Sequence, residues 1–198
     1  DVEEGYLPTL TLPAGFQVRA GKLFSPFGRL NQQHPHVWDF VDAPLAARLV
    51  AAEKLSGPGA DVTWPAPPPW FAALHLAYQA TAPEPGDPER PPGAPHLQQY
   101  FSLGEATTLG VGLSAAVRDD GAGARRDLAD ASVHLRVRPP STRASVTLQG
   151  ELYGRRLRGE PGGTDGGGYA QLFWRPGPYL GCGVRYDDAP AVPEAGAG

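Results

Sequence analysis

The sequence predicts an all-β protein: an antiparallel up-and-down transmembrane β-barrel of about ten strands, with one short helix near residues 43–55. Apolar and polar residues alternate in runs of up to roughly 10–15 residues, well beyond the roughly 5–6 that are usual in globular sheets. Tight turns and long loops alternate between these runs. The 26 glycines and 23 prolines of the 198-residue chain cluster between the runs, so they indicate many turns and not a disordered chain.

The first two strands form a predicted hairpin. Residues 5–12 and 16–24 flank a short Pro-Ala-Gly turn. In the second of these runs Phe16, Val18 and Ala20 fall on one face, because successive side chains of a strand point to opposite faces. The chain is therefore expected to enter the sheet directly at its start.

Residues 43–55 predict the helix. Leu45 and Leu49 recur at helical spacing, and a proline stands near the start, where the missing N–H is tolerated. Asp42 occupies a position suited to an N-cap. The glycines and proline of Gly57–Gly59 are expected to end the helix.

Seven further alternating runs are predicted strands of the same domain, residues 1–187, and residues 188–198 are a predicted disordered tail. Two connections, 82–96 and 159–168, are long loops rich in proline or glycine, and loops of that kind are usually functional or disordered. The seven runs are 61–64, 70–81, 106–118, 129–138, 143–157, 169–176 and 179–187.

The two faces of the predicted strands differ in chemistry. In the run 129–138, Val133 and Leu135 alternate with His134 and Arg136. Across the runs, the face opposite the apolar one mixes Gly, Ser, Thr, Gln, Arg and His, as a water-filled lumen would. Aromatic residues lie near the strand ends, which suits a girdle at the membrane interface, although soluble sandwiches share this feature.

Composition and motifs exclude several classes of protein. The net charge of -4 gives no electrostatic reason to expect a nucleic-acid partner. The single cysteine, Cys182, excludes a disulfide framework and a cysteine-based metal cluster. No apolar run reaches the roughly 18 residues that a transmembrane helix needs. Without a nucleophile elbow, an HExxH or a CxxC motif, the sequence predicts no enzymatic activity.

The stretch between residues 22 and 44 is the densest in potential ligands, so we expect specificity there. Its two histidines, at i and i+2, can point the same way from an extended loop and bind a divalent metal, with an aspartate as oxygen ligand. The alternative is that hydrogen bonds from these side chains pin a loop or short helix inside the barrel. The candidate specificity residues are Lys22, Arg29, Asn31, His34, His36, Asp39 and Asp42, and the candidate metal ligands are His34 and His36.

Arginines on the predicted strands extend the candidate set. Arg136 and Arg138 lie in one run, and Arg19, Arg155 and Arg185 lie in others. Rings of charged side chains tune pore selectivity, so these arginines would favour anions if they line a lumen. The alternative places several of them at the rim, facing lipid headgroups or solvent. Both interpretations stay open.

One motif resembles a known family. Residues 21–44, GKLFSPFGRLNQQHPHVWDFVDAP, combine a G-K strand end with F-G-x-x-N-x-x-H-x-H and F-V-D-x-P. Later stretches, among them PWFAALHL, LRVRPP and GGGYAQLFWRPGPYLGCGVRYD, are also similar. The chain thus resembles the porin-like outer-membrane β-barrel proteins of Gram-negative bacteria often labelled zinc-regulated TonB-dependent outer membrane receptors. The matching positions are Gly21, Lys22, Phe27, Gly28, Asn31, His34, His36, Phe40, Val41, Asp42 and Pro44.

The resemblance implies a channel or receptor in the bacterial outer membrane, in contact with its lipid, for passive uptake of small solutes or ions. It makes zinc a candidate solute or ligand and implies no other cofactor. The chain has no plug domain or TonB box, lacks a terminal aromatic residue and begins within a strand pattern, so we expect an incomplete barrel without implied energy coupling. The alternative is a soluble secreted or periplasmic β-sandwich or barrel that binds a ligand without catalysis. An enzyme with a site in the lumen is the third hypothesis, and the oligomeric state is not predicted.

Overall fold

The computed structural model describes residues 3–50, 55–67, 69–79, 93–119, 125–158 and 162–190. They form one antiparallel sheet in which every strand pairs with its neighbours in sequence, so the predicted all-β, up-and-down topology is confirmed. The ten strands are β1 (Gly5–Pro8), β2 (Gln17–Phe24), β3 (Ser56–Ala66), β4 (Phe71–Gln79), β5 (Gly93–Ser102), β6 (Thr107–Asp119), β7 (Arg125–Val137), β8 (Ser145–Arg158), β9 (Gly163–Arg175) and β10 (Cys182–Asp188).

Short helical elements interrupt the sheet before β3. The α-helix α1 is Leu45–Leu49, and 3₁₀ turns lie at Pro13–Gly15, Leu30–Gln32 and Pro35–Val37. Among the described helices, none has the length and apolar character needed to cross a membrane.

The sheet is open but strongly curved. Within the described residues no ladder joins β1 to β10, so the sheet does not close on itself. Arg29 donates both to Tyr100 on β5, at 3.2 Å, and to Gln149 on β8, at 3.3 Å. Strands three places apart are about 14 Å apart in a flat sheet, so the sheet must bend for one side chain to reach both. Residues 25–50 lie on this concave face and are called the inserted segment.

The predicted alternation of faces is confirmed, with the apolar face outside. On β8, Leu148 and Leu152 are 42% and 68% exposed, whereas Gln149 and Glu151 are 4% and 1% exposed. In a soluble sandwich the apolar faces of the strands meet in a shared interior. This sheet has the opposite arrangement, because its polar face is the buried one.

A small hydrophobic core lies between the inserted segment and the concave face. The ring of Phe27 lies 6.4 Å from that of Tyr153, centroid to centroid. Alanines on β4, β5 and β6 leave room for the segment on a face that is otherwise polar. The core members are Phe27, Ala46, Val50, Ala77, Ala94, Ala116, Leu128, Tyr153 and Tyr169.

The helix prediction was too long. The helix expected at 43–55 is limited to α1, and residues 51–54 lie outside the described part of the chain. Gly57–Gly59 do not end a helix but belong to β3, where they pair with β2. The reason is a close approach of two strands: a Cβ on Gly59 would lie 2.1 Å from the carbonyl oxygen of Tyr78. Glycine is used here because it lets the backbones meet.

Two strands begin inside predicted loops. β5 starts at Gly93, within the expected loop 82–96, and β9 starts at Gly163, within the expected loop 159–168. Glycine has low strand propensity, so sequence alone disfavours strands there, but pairing with β4 and β8 overrides that preference. Residues 80–92, which comprise the end of the predicted strand 70–81 and the rest of the first loop, lie outside the described residues, as do residues 191–198 at the end of the predicted tail.

Candidate functional site

Glu151 on β8 holds the inserted segment against the sheet. Its buried carboxylate accepts the backbone N–H of Arg29 at Oε2, 3.0 Å away, and that of Leu30 at Oε1, 2.9 Å away. Each oxygen also accepts one phenol, from Tyr153 on Oε2 at 3.0 Å and from Tyr169 on Oε1 at 2.7 Å. A carboxylate removed from water is tolerated only when such donors replace its hydration. The segment is therefore fixed through its backbone.

Gly28 allows the segment to approach this close. Its φ of 62° lies in the left-handed region, where side chains are unfavourable. A Cβ at this position would lie 2.4 Å from Oε2 of Glu151 and 3.3 Å from Oδ1 of Asp130. The Gly28 N–H donates to Oγ of Ser114 at 2.8 Å, so three consecutive amides of the segment bond to the concave face.

Asn31 connects the start of the inserted segment to Leu55, the residue that precedes β3. Its Nδ2 donates to the carbonyl oxygens of Ser25, at 2.8 Å, and Leu55, at 2.9 Å. Its Oδ1 accepts the Leu55 N–H at 2.7 Å. The side-chain amide is thus engaged on both its donor and its acceptor side, and these contacts give Asn31 a structural task.

The histidine pair lies beside the acidic residues that precede β1. Nδ1 of His34 is 2.7 Å from Oε2 of Glu3, and its Nε2 is 3.1 Å from Oε2 of Glu4. The ring stacks on that of His36 at a centroid distance of 5.4 Å. A metal-binding nitrogen needs a free lone pair, whereas both nitrogens of His34 face carboxylates. The described residues include no group of three or more His, Cys, Asp or Glu side chains placed to hold a metal ion.

A polar cavity of about 200 Å³ lies between the inserted segment and the last four strands. Its walls are a mixture of charged, amide and aromatic side chains with a concentration of arginine. The strands contribute His134, Arg136, Thr147, Gln149, Gln171, Arg175 and Arg185, and the inserted segment contributes Arg29, Trp38, Asp39, Phe40 and Asp42, among others.

Two ion pairs tie the inserted segment to β9 and β10 at this cavity. Nη2 of Arg175 lies 2.6 Å from Oδ1 of Asp39, and Nη2 of Arg185 lies 2.8 Å from Oδ2 of Asp42. The hydrogen bond from Arg185 lowers the pKa of Asp42 below its ordinary value. The guanidinium of Arg185 also lies 5.0 Å from the ring centroid of Phe40, a cation–π contact.

The expected capping role of Asp42 was wrong. The N-cap residue of α1 is Pro44, which makes no side-chain capping hydrogen bond. Instead, the Leu45 N–H donates to Oδ1 of Asp187 on β10, 3.0 Å away. Asp42 binds Arg185 and not the helix end, because a hydrogen bond to a charged guanidinium is stronger than one to a neutral backbone N–H.

Strands β3 to β6 bring together histidines that are distant in sequence. Nδ1 of His75 lies 3.0 Å from Oγ1 of Thr63 and 3.7 Å from Oδ2 of Asp61. The His75 and His96 rings are 5.6 Å apart, and Nδ1 of His96 is 2.7 Å from Oγ of Ser114. The contacts form two hydrogen-bonded groups on the concave face, one around His75 and one around His96, which touch through the two imidazole rings. The second group continues through Ser114 to the Gly28 N–H of the inserted segment.

The structure divides the predicted specificity residues into three groups. Those at the cavity are Arg29, Asp39, Asp42 and Arg136. Those in structural contacts are Asn31, His34 and His36. Lys22 and Arg138 are exposed and do not line this cavity.

The sequence analysis missed the anchor, Glu151, and most of the cavity wall. Glu151 and Gln149 were visible as members of the polar face of a strand, but nothing in the local sequence singles them out. Gln171, Arg175 and Trp38 were likewise not selected. The missing information is the long-range contact between the inserted segment and β8, which joins residues about 120 positions apart.

Comparisons with known proteins find one similar stretch of sequence, in a protein whose printed name gives no function. No family model matches the chain, and no solved structure matches it. A stretch of 73 residues is 51% identical to an "Uncharacterized protein" of Aquifex aeolicus (strain VF5). The stretch covers 37% of this chain and 16% of that relative, so the chain matches only a small part of the relative's length.

Proposed function

We propose that the chain forms the wall of a porin-like channel or receptor in a bacterial outer membrane, through which small solutes or ions pass without energy coupling. The observation that carries this proposal is the exposed apolar outer face of the sheet. Each large apolar side chain moved out of water contributes about 1.5–3 kcal/mol, so a face covered with such side chains favours an apolar environment.

The apolar side chains of the outer face form continuous rows across neighbouring strands. One row runs from β5 to β10 through directly paired residues, and a second, four residues away along the strands, runs from β3 to β8. The first row is Phe101, Leu109, Leu135, Leu148, Leu172 and Val184. The second is Trp64, Leu74, Leu97, Leu113, Ala131 and Leu152.

The extent of these rows supports a lipid environment. Four residues along a strand span about 14 Å, and the apolar band of an outer-membrane barrel is about 25 Å tall. Soluble monomers rarely expose apolar patches of more than a few hundred Å². The polar concave face, with charged and amide side chains around its cavity, suits the inside of a water-filled path.

Membrane extraction tests this proposal. The protein is expressed with the signal sequence of an outer-membrane protein, and outer membranes are isolated and extracted with detergent. We expect a species that requires detergent and changes its gel mobility on boiling, and that gives discrete conductance steps in a planar bilayer. Conductance with and without zinc then tests the implied metal link.

A protein that stays monodisperse in buffer without detergent would overturn the membrane proposal. The soluble binding module, with the cavity of the concave face as its ligand site, would then replace it.

A further inference from the structure

The charges around the cavity do not balance. Among the described residues that line it, four are arginines and two are aspartates. Arg175 and Arg185 are the two arginines paired with those aspartates. The guanidinium groups of the other two, Arg29 and Arg136, form no ion pair with a carboxylate among the described residues, so two cationic side chains at this cavity have no charged partner there.

Arg29 is held in place by neutral groups. Its Nε donates to Oε1 of Gln149 at 3.3 Å, and its Nη1 donates to the Tyr100 hydroxyl at 3.2 Å. The backbone N–H of Arg29 is fixed by Glu151. A guanidinium has five N–H donors, so three remain for a ligand in a fixed orientation. An arginine positioned in this way recognises the flat, divergent oxygens of a carboxylate or phosphate.

Arg136 faces the same cavity from β7. It lies between Thr108 on β6 and Thr147 on β8 in the sheet, neither of which carries a charge. No described residue forms a hydrogen bond or ion pair with its guanidinium. The cavity volume of about 200 Å³ is below the roughly 300–1,000 Å³ typical of sites for drug-sized ligands, so it fits a small ion.

We propose that this cavity binds a small anion with a carboxylate or phosphate group, held between Arg29 and Arg136. The binding site stands on the geometry of the cavity alone. Only the further statement that the anion is the solute of the channel rests on the proposed function. The two arginines would then select anions where the path passes this cavity.

Titration calorimetry at low ionic strength tests the site directly, with inorganic phosphate and acetate as separate probes. The purified chain is kept in whichever medium disperses it, with or without detergent. The variant is Arg136→Gln, which removes a charge that has no described partner and so should fold. The matched control is Arg138→Gln, which removes the same charge two residues away: both side chains are exposed, but only Arg136 lines the cavity.

We expect saturable binding of at least one probe by the unaltered chain, roughly tenfold or more weaker binding by Arg136→Gln, and unchanged binding by Arg138→Gln, as loss of one charge-assisted contact implies. Arg29→Gln should weaken binding as well. The absence of saturable binding, or an equal loss in Arg136→Gln and Arg138→Gln, would overturn the site.

The same variants separate the site from the channel. Phosphate or acetate binding that depends on Arg136, in a protein without bilayer conductance, would keep the site and remove the channel. Conductance whose anion selectivity is the same in Arg136→Gln as in the unaltered chain, without saturable anion binding, would keep the channel and remove the site.

Discussion

Replacement of Glu151 by glutamine should release the inserted segment. Each carboxylate oxygen accepts one backbone amide and one phenol, so an amide group in either orientation leaves one backbone N–H, of Arg29 or Leu30, without an acceptor. A phenol can turn and accept from the new NH₂, but a backbone N–H cannot. A buried donor without a partner costs about 1–3 kcal/mol, or about 5- to 150-fold in the opening equilibrium.

Hydrogen exchange of peptides within residues 24–34 measures this change. The sheet itself need not lose stability, because removal of a buried charge also removes its desolvation penalty. The role of Glu151 therefore predicts that the inserted segment exchanges about 5- to 150-fold faster in the variant, whereas the exchange rates of β6 to β8 stay unchanged. The control is Glu105→Gln, an exposed residue in the turn after β5. Exchange in the segment that is equally slow in both variants would refute the role of Glu151.

Two further predictions concern the same segment. In urea titrations Gly28→Ala should destabilise the protein more than Gly104→Ala. Both glycines have positive φ, 62° and 90°, and alanine in such a conformation costs about 1–2 kcal/mol at each position. Only at Gly28 would the new Cβ collide with Glu151, because nothing lies within 4 Å of a Cβ at Gly104. Equal losses would contradict the close packing of the segment. Asn31→Ala should leave the Leu55 N–H without its acceptor and raise the hydrogen-exchange rate of that amide by a factor equivalent to about 1–3 kcal/mol. An unchanged exchange rate at Leu55 would show that the Asn31 side chain does not hold this part of the backbone in place.

The sheet could be predicted because the alternation of apolar and polar residues that marks a strand lies within a few neighbouring positions of the sequence. On β8, alternation of Leu148 and Leu152 with Gln149 and Glu151 is visible in the sequence itself, and it determines both the strand and its two faces. The long runs and the short turns between them then predict antiparallel neighbours, which the pairing of all ten strands confirms.

The errors occurred where tertiary contacts outweigh local preference. The alanine-rich run 43–55 has high helix propensity, yet only Leu45–Leu49 are an α-helix among the described residues. The sequence predicts that Gly57–Gly59 end a helix, but these residues pair with β2 and belong to a strand. Propensities of a few tenths of a kcal/mol per residue are easily overridden by such pairing.

The candidate site was predictable only in part. The polar stretch between residues 22 and 44 lies in the inserted segment, and three of its predicted specificity residues, Arg29, Asp39 and Asp42, line the cavity. That they determine specificity stays a prediction. The acidic partners of His34, Glu3 and Glu4, lie about thirty residues away, and Glu151 lies farther still. Contacts at such separations depend on how the sheet curves, which a single sequence does not encode locally.

We propose that the apolar outer face lies in lipid, and spin-label accessibility distinguishes lipid from water at single positions on that face. Single cysteines are introduced at Leu113, Val133 and Leu152 in a Cys182→Ser background, with Leu103 in the turn after β5 as control, because all four side chains are exposed. In reconstituted vesicles the three strand positions should be more accessible to oxygen than to a polar nickel complex, and Leu103 should show the reverse. High accessibility to the nickel complex at all four positions would show that the outer face lies in water.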